Sequence, residues 1–179
     1  MLPSLAEGPQ TGGLIVGSEP ITIRSRGRLE FIDITEAVAE AVHRCGVGRG
    51  LIHVQSRHTT TGIVVNENEP LLLEDFRRLL EQWAPRGAAY RHDDLEARAD
   101  VPPGERPNAD AHARALLLGH SETLEVAEGR LSLGRWQRVF LVELDGPRLR
   151  TVSVLVLGRG AAGEVQGLRV LPLHARVRS

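Results

Sequence analysis

The sequence predicts an α+β protein with a mainly antiparallel sheet. Runs rich in β-branched residues are joined by short polar or Gly-containing turns, and the two or three helical patterns are grouped in the first two thirds of the chain. The regular strand–helix–strand alternation of a parallel sheet is missing.

Residues 1–19 are rich in Gly, Pro and small side chains with weak periodicity, and are expected to form a mobile or loosely packed arm. R-L-E-F-I-D-I (28–34) reads as a strand. Thr35 is expected to cap a helix that places Ala37, Val38, Ala41, Val42 and Cys45 on one face and ends at Gly46 and Gly48. L-I-H-V-Q-S (51–56) and T-T-G-I-V-V-N (60–66) read as two strands across a polar link. Pro70 occupies a favoured first-turn position before an amphipathic helix with Leu72, Phe76, Leu79, Leu80 and Trp83 expected inward. Residues 84–107 hold four of the ten prolines and many charges; a loop of that length inside a domain is more often functional than idle. A helix at about 109–118 follows, with Asn108 as its expected N-cap and Gly119 beyond its end. The remainder reads as strands: T-L-E-V, a turn at Glu128-Gly129, R-L-S-L-G, then W-Q-R-V-F-L-V-E-L with Trp136 packed at its start. The turn D-G-P-R leads into L-R-T-V-S-V-L-V-L-G. Residues 159–179 form a Gly/Arg-rich extension whose apolar stretch (Leu168, Val170, Leu171) suits an added edge strand.

A chain of 179 residues suits one domain with a full core, with or without tails. A formal net charge of −1 supplies no global attraction to nucleic acid or an anionic membrane, and 3% aromatic residues are too few for a single-stranded nucleic-acid surface. All 22 cationic Lys/Arg positions are arginine, which rules out a Schiff-base or Walker-type lysine and leaves phosphate recognition to Arg, backbone N–H groups or a metal. Cys45, the single cysteine, excludes an internal disulfide and a Cys-based zinc finger, and reads as a small buried hydrophobe. With no secretory pattern at the N-terminus and no apolar run near the roughly 20 residues that cross a bilayer, a soluble cytoplasmic domain is expected.

Three segments each deliver a histidine beside other polar residues: R-H-T-T-T-G at His58, Y-R-H-D-D at His92 and N-A-D-A-H at His112. Polar neighbours can orient the second ring nitrogen, as a metal ligand or general base requires. None of the three pairs shows the i, i+4 spacing of H-E-x-x-H, so any shared site is assembled from separate elements. His53 in an apolar strand, His43 on a helix and His174 in the tail read as structural or exposed. Glu67 in N-E-N has two readings, a general acid/base or metal ligand and simple turn chemistry between a strand and a helix. Asp75 belongs to a site if its helix faces it, and is otherwise a solvated or capping charge. Gly119-His120-Ser121 offers N–H and hydroxyl donors to a phosphate, but lacks the second glycine of the hydrolase elbow.

In order along the chain, H-T-T-T-G-I-V-V-N-E-N, the helix with Asp75, Y-R-H-D-D, N-A-D-A-H, L-G-H-S and G-R-L-S-L-G-R-W-Q-R-V-F-L-V-E-L-D-G-P-R resemble the YjbQ-like family, also called the secondary thiamine-phosphate synthase family. The resemblance covers residues 20–158, leaving arm 1–19 and extension 159–179 outside. It departs at Glu69, where some relatives carry Asp before the proline, and at His120, where relatives often have a small residue. It implies an antiparallel β-sandwich, a homotrimer, and a shared site for His58, His92 and His112 as ligands of a divalent metal, zinc or magnesium. It further implies catalytic roles for Glu67, His58 and Asp75, and substrate contacts from Asn66, Asn68, Ser121 and Arg148. The implied activity is a transferase reaction on small phosphorylated metabolites: a pyrimidine-methyl diphosphate joins a thiazole phosphate, releasing diphosphate. The alternatives are metal-assisted phosphate-ester hydrolysis with Glu67 activating water, and a non-catalytic metal- or metabolite-binding module.

Overall fold

The computed structural model describes residues 13–160, together with the backbone of 169–172 and 176–178. In chain order the elements begin with β1 (Leu14–Arg24), β2 (Glu30–Asp33), α1 (Thr35–Cys45), β3 (Val47–Ser56), β4 (Thr61–Glu67) and α2 (Pro70–Trp83). They continue with a single 3-10 turn at Arg91–Asp93, α3 (Ala109–Leu118), β5 (Ser121–Ala127), β6 (Arg130–Leu131), β7 (Gln137–Glu143), β8 (Leu149–Gly160), β9 (Arg169–Pro172) and β10 (Arg176–Arg178). A seven-stranded sheet runs β10-β1-β8-β3-β5-β6, with β9 also on β1, and a three-stranded sheet runs β2-β7-β4. All pairings are antiparallel except those of β9 and β10 with β1. The α+β class and its two-sheet, mainly antiparallel architecture are therefore as expected.

Alternation fixes which side chains meet between the sheets. In β8 the inward positions are Arg150, Val152, Val154 and Val156, and their partners across the ladder include Ser56, Val54 and Ile52 of β3. Val139 and Leu141 of β7 and Ile63 of β4 close this core from the small sheet, and Val38, Ala41 and Val42 of α1 join it. The opposite face of β7 (Phe140, Val142) packs against Leu73 and Leu80 of α2 and Ala111 and Ala115 of α3. β7 is thus buried on both faces, which accounts for its unbroken apolar run V-F-L-V. The next inward position after Val139 and Leu141 is Glu143, a carboxylate at a core position.

Several details differ from the sequence expectation. Residues 14–19 are not part of a loose arm: they begin β1, paired along its whole length with β8, and the buried Glu19 that blurs its pattern is neutralised by Arg44 of α1 at 2.5 Å. Thr35 lies inside α1 and Ile34 is the N-cap; the Thr35 hydroxyl instead accepts the Val139 N–H. In α2 the expected Leu80 is buried and Phe76 packs against the same core, but Leu73 joins them on the inward side whereas Leu79 and Trp83 face solvent, because α2 covers a narrow three-stranded sheet. Trp136 is exposed, with the Arg135 guanidinium stacked over its ring. Cys45 is buried as expected. Of the C-terminal extension, 169–172 pairs with β1 as an edge strand; Leu168 and His174 lie outside the described residues. Among the described residues no helix is long and apolar enough to cross a membrane.

A histidine-lined candidate site

Four segments surround a cleft of about 450 Å³. The β3–β4 link contributes Arg57, His58 and Thr60; the 84–107 segment contributes His92, Arg98, Asp100 and Glu105; the start of α3 contributes Asn108 and His112; the β7–β8 corner contributes Asp145, Arg148 and Arg150.

The corner is held by two buried carboxylates. Glu143 accepts hydrogen bonds from Arg150 Nε (2.6 Å) and Nη2 (2.5 Å), from Ser25 Oγ (2.8 Å), and from the N–H groups of Leu144 and Asp145. Burial works to raise its pKa, but Arg150 and these donors outweigh it and the carboxyl is held below the usual range. Arg150 also donates to Thr60 Oγ1, linking the core pair to the cleft wall. Asp145 is saturated: Arg28 (3.0 Å), Arg106 (3.2 Å), Arg148 (2.8 Å) and Asn108 Nδ2 (3.1 Å) all donate to its carboxylate.

His58 Nε2 accepts the Thr151 N–H at 2.7 Å. A backbone amide can only donate, so Nε2 must keep its lone pair and the neutral ring carries its proton on Nδ1. Burial, then Arg150, lowers the His58 pKa, consistent with this neutral form. Asp93 builds the second part of the site. Its Oδ1 accepts the N–H groups of Asn108 and Ala109 at 2.9 Å, capping α3 from outside and setting His92 against His112. Those two rings meet edge-to-face with centroids 4.9 Å apart. Burial, then the neighbouring His92, lowers the pKa of His112.

Both depressed histidines make stability pH-dependent. The unfolded chain takes up protons near pH 6.5 while the folded chain resists them. Their contribution is therefore complete above pH 6.5 and is lost as pH falls through the lower folded values. Chemical denaturation from pH 7.5 down to 5 is expected to give a falling unfolding free energy that His58→Gln makes shallower; an unchanged slope in that variant would contradict the assignment.

His58, His92, His112 and Arg148 line the cleft; Glu67, Asn66, Asn68, Asp75 and Ser121 do not. Thr60 borders the cleft just before β4, and Glu67 ends that strand, roughly 20 Å away at about 3.3 Å per residue. The N-E-N segment performs turn chemistry here: Asn66 Oδ1 accepts the Glu67 N–H, and Asn68 Nδ2 donates to Asp33. Asp75 is exposed and paired with Arg78 on α2. Ser121 is exposed at the start of β5, opposite Gln55. Among the described residues no three His, Cys, Asp or Glu side chains gather as a metal cluster. His58 Nε2 accepts the Thr151 N–H and the His92 and His112 rings meet edge-to-face, so among the described residues the three imidazoles do not point their lone pairs at one common ligand position.

Sequence reasoning missed Arg98, Asn108, Asp145 and the Glu143–Arg150 pair. Glu143 and Arg150 did leave a signal, since both are charged residues at inward positions of strands otherwise filled with Val and Leu. Asn108 was concealed by its resemblance to an ordinary helix cap.

A two-sheet α+β domain with a histidine- and arginine-lined cleft at one corner defines the class. The family model described as "UPF0047 protein YjbQ-like" matches residues 19–159, and the chain belongs to that family. It is 40% identical over 144 residues to a UPF0047 protein of Methanothermobacter thermautotrophicus (80% of this chain, 94% of the relative). It is 44% identical over 138 residues to one of Archaeoglobus fulgidus (76% and 98%). Among solved structures, a YbjQ-like protein of unknown function from Sulfolobus solfataricus superposes with a TM-score of 0.73 at 33% identity, covering 82% of this chain and 99% of that one.

Proposed function

We propose that the cleft binds a small phosphorylated metabolite, with His58 and Arg98 as donors to its phosphate and the His92–His112 pair as a site for proton exchange. The observation that carries this reading is the Arg98 guanidinium: its Nη1 is buried in the cleft wall with no partner among the described residues, in a space three imidazoles share. A buried guanidinium N–H needs an acceptor, and phosphate oxygens suit it. The size of the cleft falls within the range of small-molecule sites.

The reaction most in keeping with the family resemblance is formation of thiamine phosphate. The methylene–oxygen bond to diphosphate breaks, the thiazole nitrogen lone pair forms the new C–N bond, and diphosphate leaves with the electron pair. Arg98, Arg57 and the His58 Nδ1–H would stabilise the departing charge. Hydrolysis with Glu67 as base is disfavoured within one chain by that residue's position at the far end of β4. Diphosphate release from the two phosphorylated precursors, lost in His112→Ala, would support the transferase; tight binding with no release would leave a binding module.

We also propose the homotrimer that the resemblance implies. Leu51 and Leu157 stand opposite each other on the outer face of the large sheet, with Leu155 beside them, and all three are exposed. Light scattering is expected to give three times the 19.6 kDa chain mass; a monomer at micromolar concentration would contradict it.

A further inference from the structure

We infer that the cleft selects a phosphate ester that also carries an N–H donor, a phosphoamine, and that Asn108 is the residue that reads the amine. This inference rests on the phosphate reading of the same cleft. Asn108 is 4% exposed. Its amide nitrogen donates to two carboxylates, Glu105 Oε1 at 3.2 Å and Asp145 Oδ2 at 3.1 Å. That fixes the orientation of the amide, because the reverse one would set its oxygen against both acids. Oδ1 is consequently a buried acceptor, and no donor among the described residues reaches it.

The usual task of an asparagine at a helix start does not account for this oxygen. The α3 cap is made by Asp93, and the Asn108 side chain makes no cap bond. A buried lone acceptor destabilises the fold unless something donates to it. Glu105 and Asp100 place further carboxylate acceptors on the cleft wall, whereas Asp145 is fully engaged by its own partners. Arg98 supplies the opposite polarity, a buried donor without an acceptor. A ligand with phosphate at one end and an amine at the other satisfies both orphans at once; a simple alkyl phosphate leaves Asn108 Oδ1 unpaired.

The test is calorimetric titration of the full chain with phosphoethanolamine, ethyl phosphate, phosphocholine and inorganic phosphate. Phosphoethanolamine is expected to bind at least about tenfold more tightly than ethyl phosphate or phosphocholine, the worth of one good hydrogen bond. Phosphocholine keeps the positive charge but has no N–H. Asn108→Ala, with its melting temperature measured alongside, is expected to bring phosphoethanolamine and ethyl phosphate within about twofold of each other. If that variant does not fold, the wild-type comparison decides alone. Equal binding of phosphoethanolamine and either analogue would overturn the role of Asn108 while leaving the phosphate reading intact, as would a preference retained in Asn108→Ala. Failure of every phosphate to bind would overturn both.

Discussion

Arg150→Met is expected to destabilise the fold by about 3–5 kcal/mol, the cost typical of leaving one member of a buried ion pair alone. For a domain of this length that corresponds to a fall in Tm of roughly 6–20 °C. Glu143 is fully buried and Arg150 nearly so, and no other cation hydrogen-bonds to Glu143 among the described residues. The double variant Arg150→Met/Glu143→Gln is expected to recover most of the loss. A glutamine carbonyl still accepts the Leu144 and Asp145 N–H groups, and no unpaired charge remains. Denaturant unfolding of both single variants and the double closes the cycle. Purely additive effects would mean that the two residues are not coupled.

The second large effect concerns binding alone. Arg98→Ala is expected to weaken inorganic phosphate binding by roughly 10- to 100-fold, the worth of a charged hydrogen bond lost on each molecule of ligand. Its unfolding free energy is expected to stay within about 0.5 kcal/mol of wild type, since its orphaned Nη1 has no partner to lose. Of the four arginines that line the cleft, Arg150 serves the fold through Glu143, and Arg98 is the one proposed to meet the phosphate. Loss of stability in Arg98→Ala with unchanged phosphate affinity would reverse that division.

The sequence made the architecture legible wherever one face of an element repeats. The α1 stripe of Ala37, Val38, Ala41, Val42 and Cys45 is buried as periodicity predicts. β1 escaped notice because Gly17 and Glu19 occupy inward positions, and a charge that finds its partner 25 residues later on α1 is invisible to local patterning. In α2, Leu80 and Phe76 follow the periodic stripe while Leu73 takes the inward place expected of Leu79, since the pattern L-L-L near its start is compatible with two neighbouring stripes. Only the width of the sheet beneath decides between them.

The histidine segments stood out because each groups polar residues in short stretches of chain, and all three border the cleft. N-E-N stood out for the same local reason, yet the length of β4 carries Glu67 to the opposite end of the sandwich. What holds the site together is long-range. Arg28 reaches Asp145 across 117 positions and Asp110 across 82, and His58 meets Thr151 across 93. No spacing rule within a window of ten or twenty residues contains those contacts. Asn108 marks the other limit: it stands at the N-cap position the sequence suggests, but the capping bonds come from Asp93, in a short 3-10 turn of the long connecting segment.

The central claim is that the histidine cleft is a phosphate site. Its most direct measurement is an NMR titration of the protein with inorganic phosphate, following the imidazole resonances of all seven histidines. The account predicts saturable shifts of His58, His92 and His112, with their midpoint moved to roughly 10- to 100-fold higher phosphate in Arg98→Ala, with His43, His53 and His120 unmoved and His58 remaining in its Nδ1–H form throughout. Shifts spread evenly over exposed histidines, or none at the three cleft imidazoles, would contradict it.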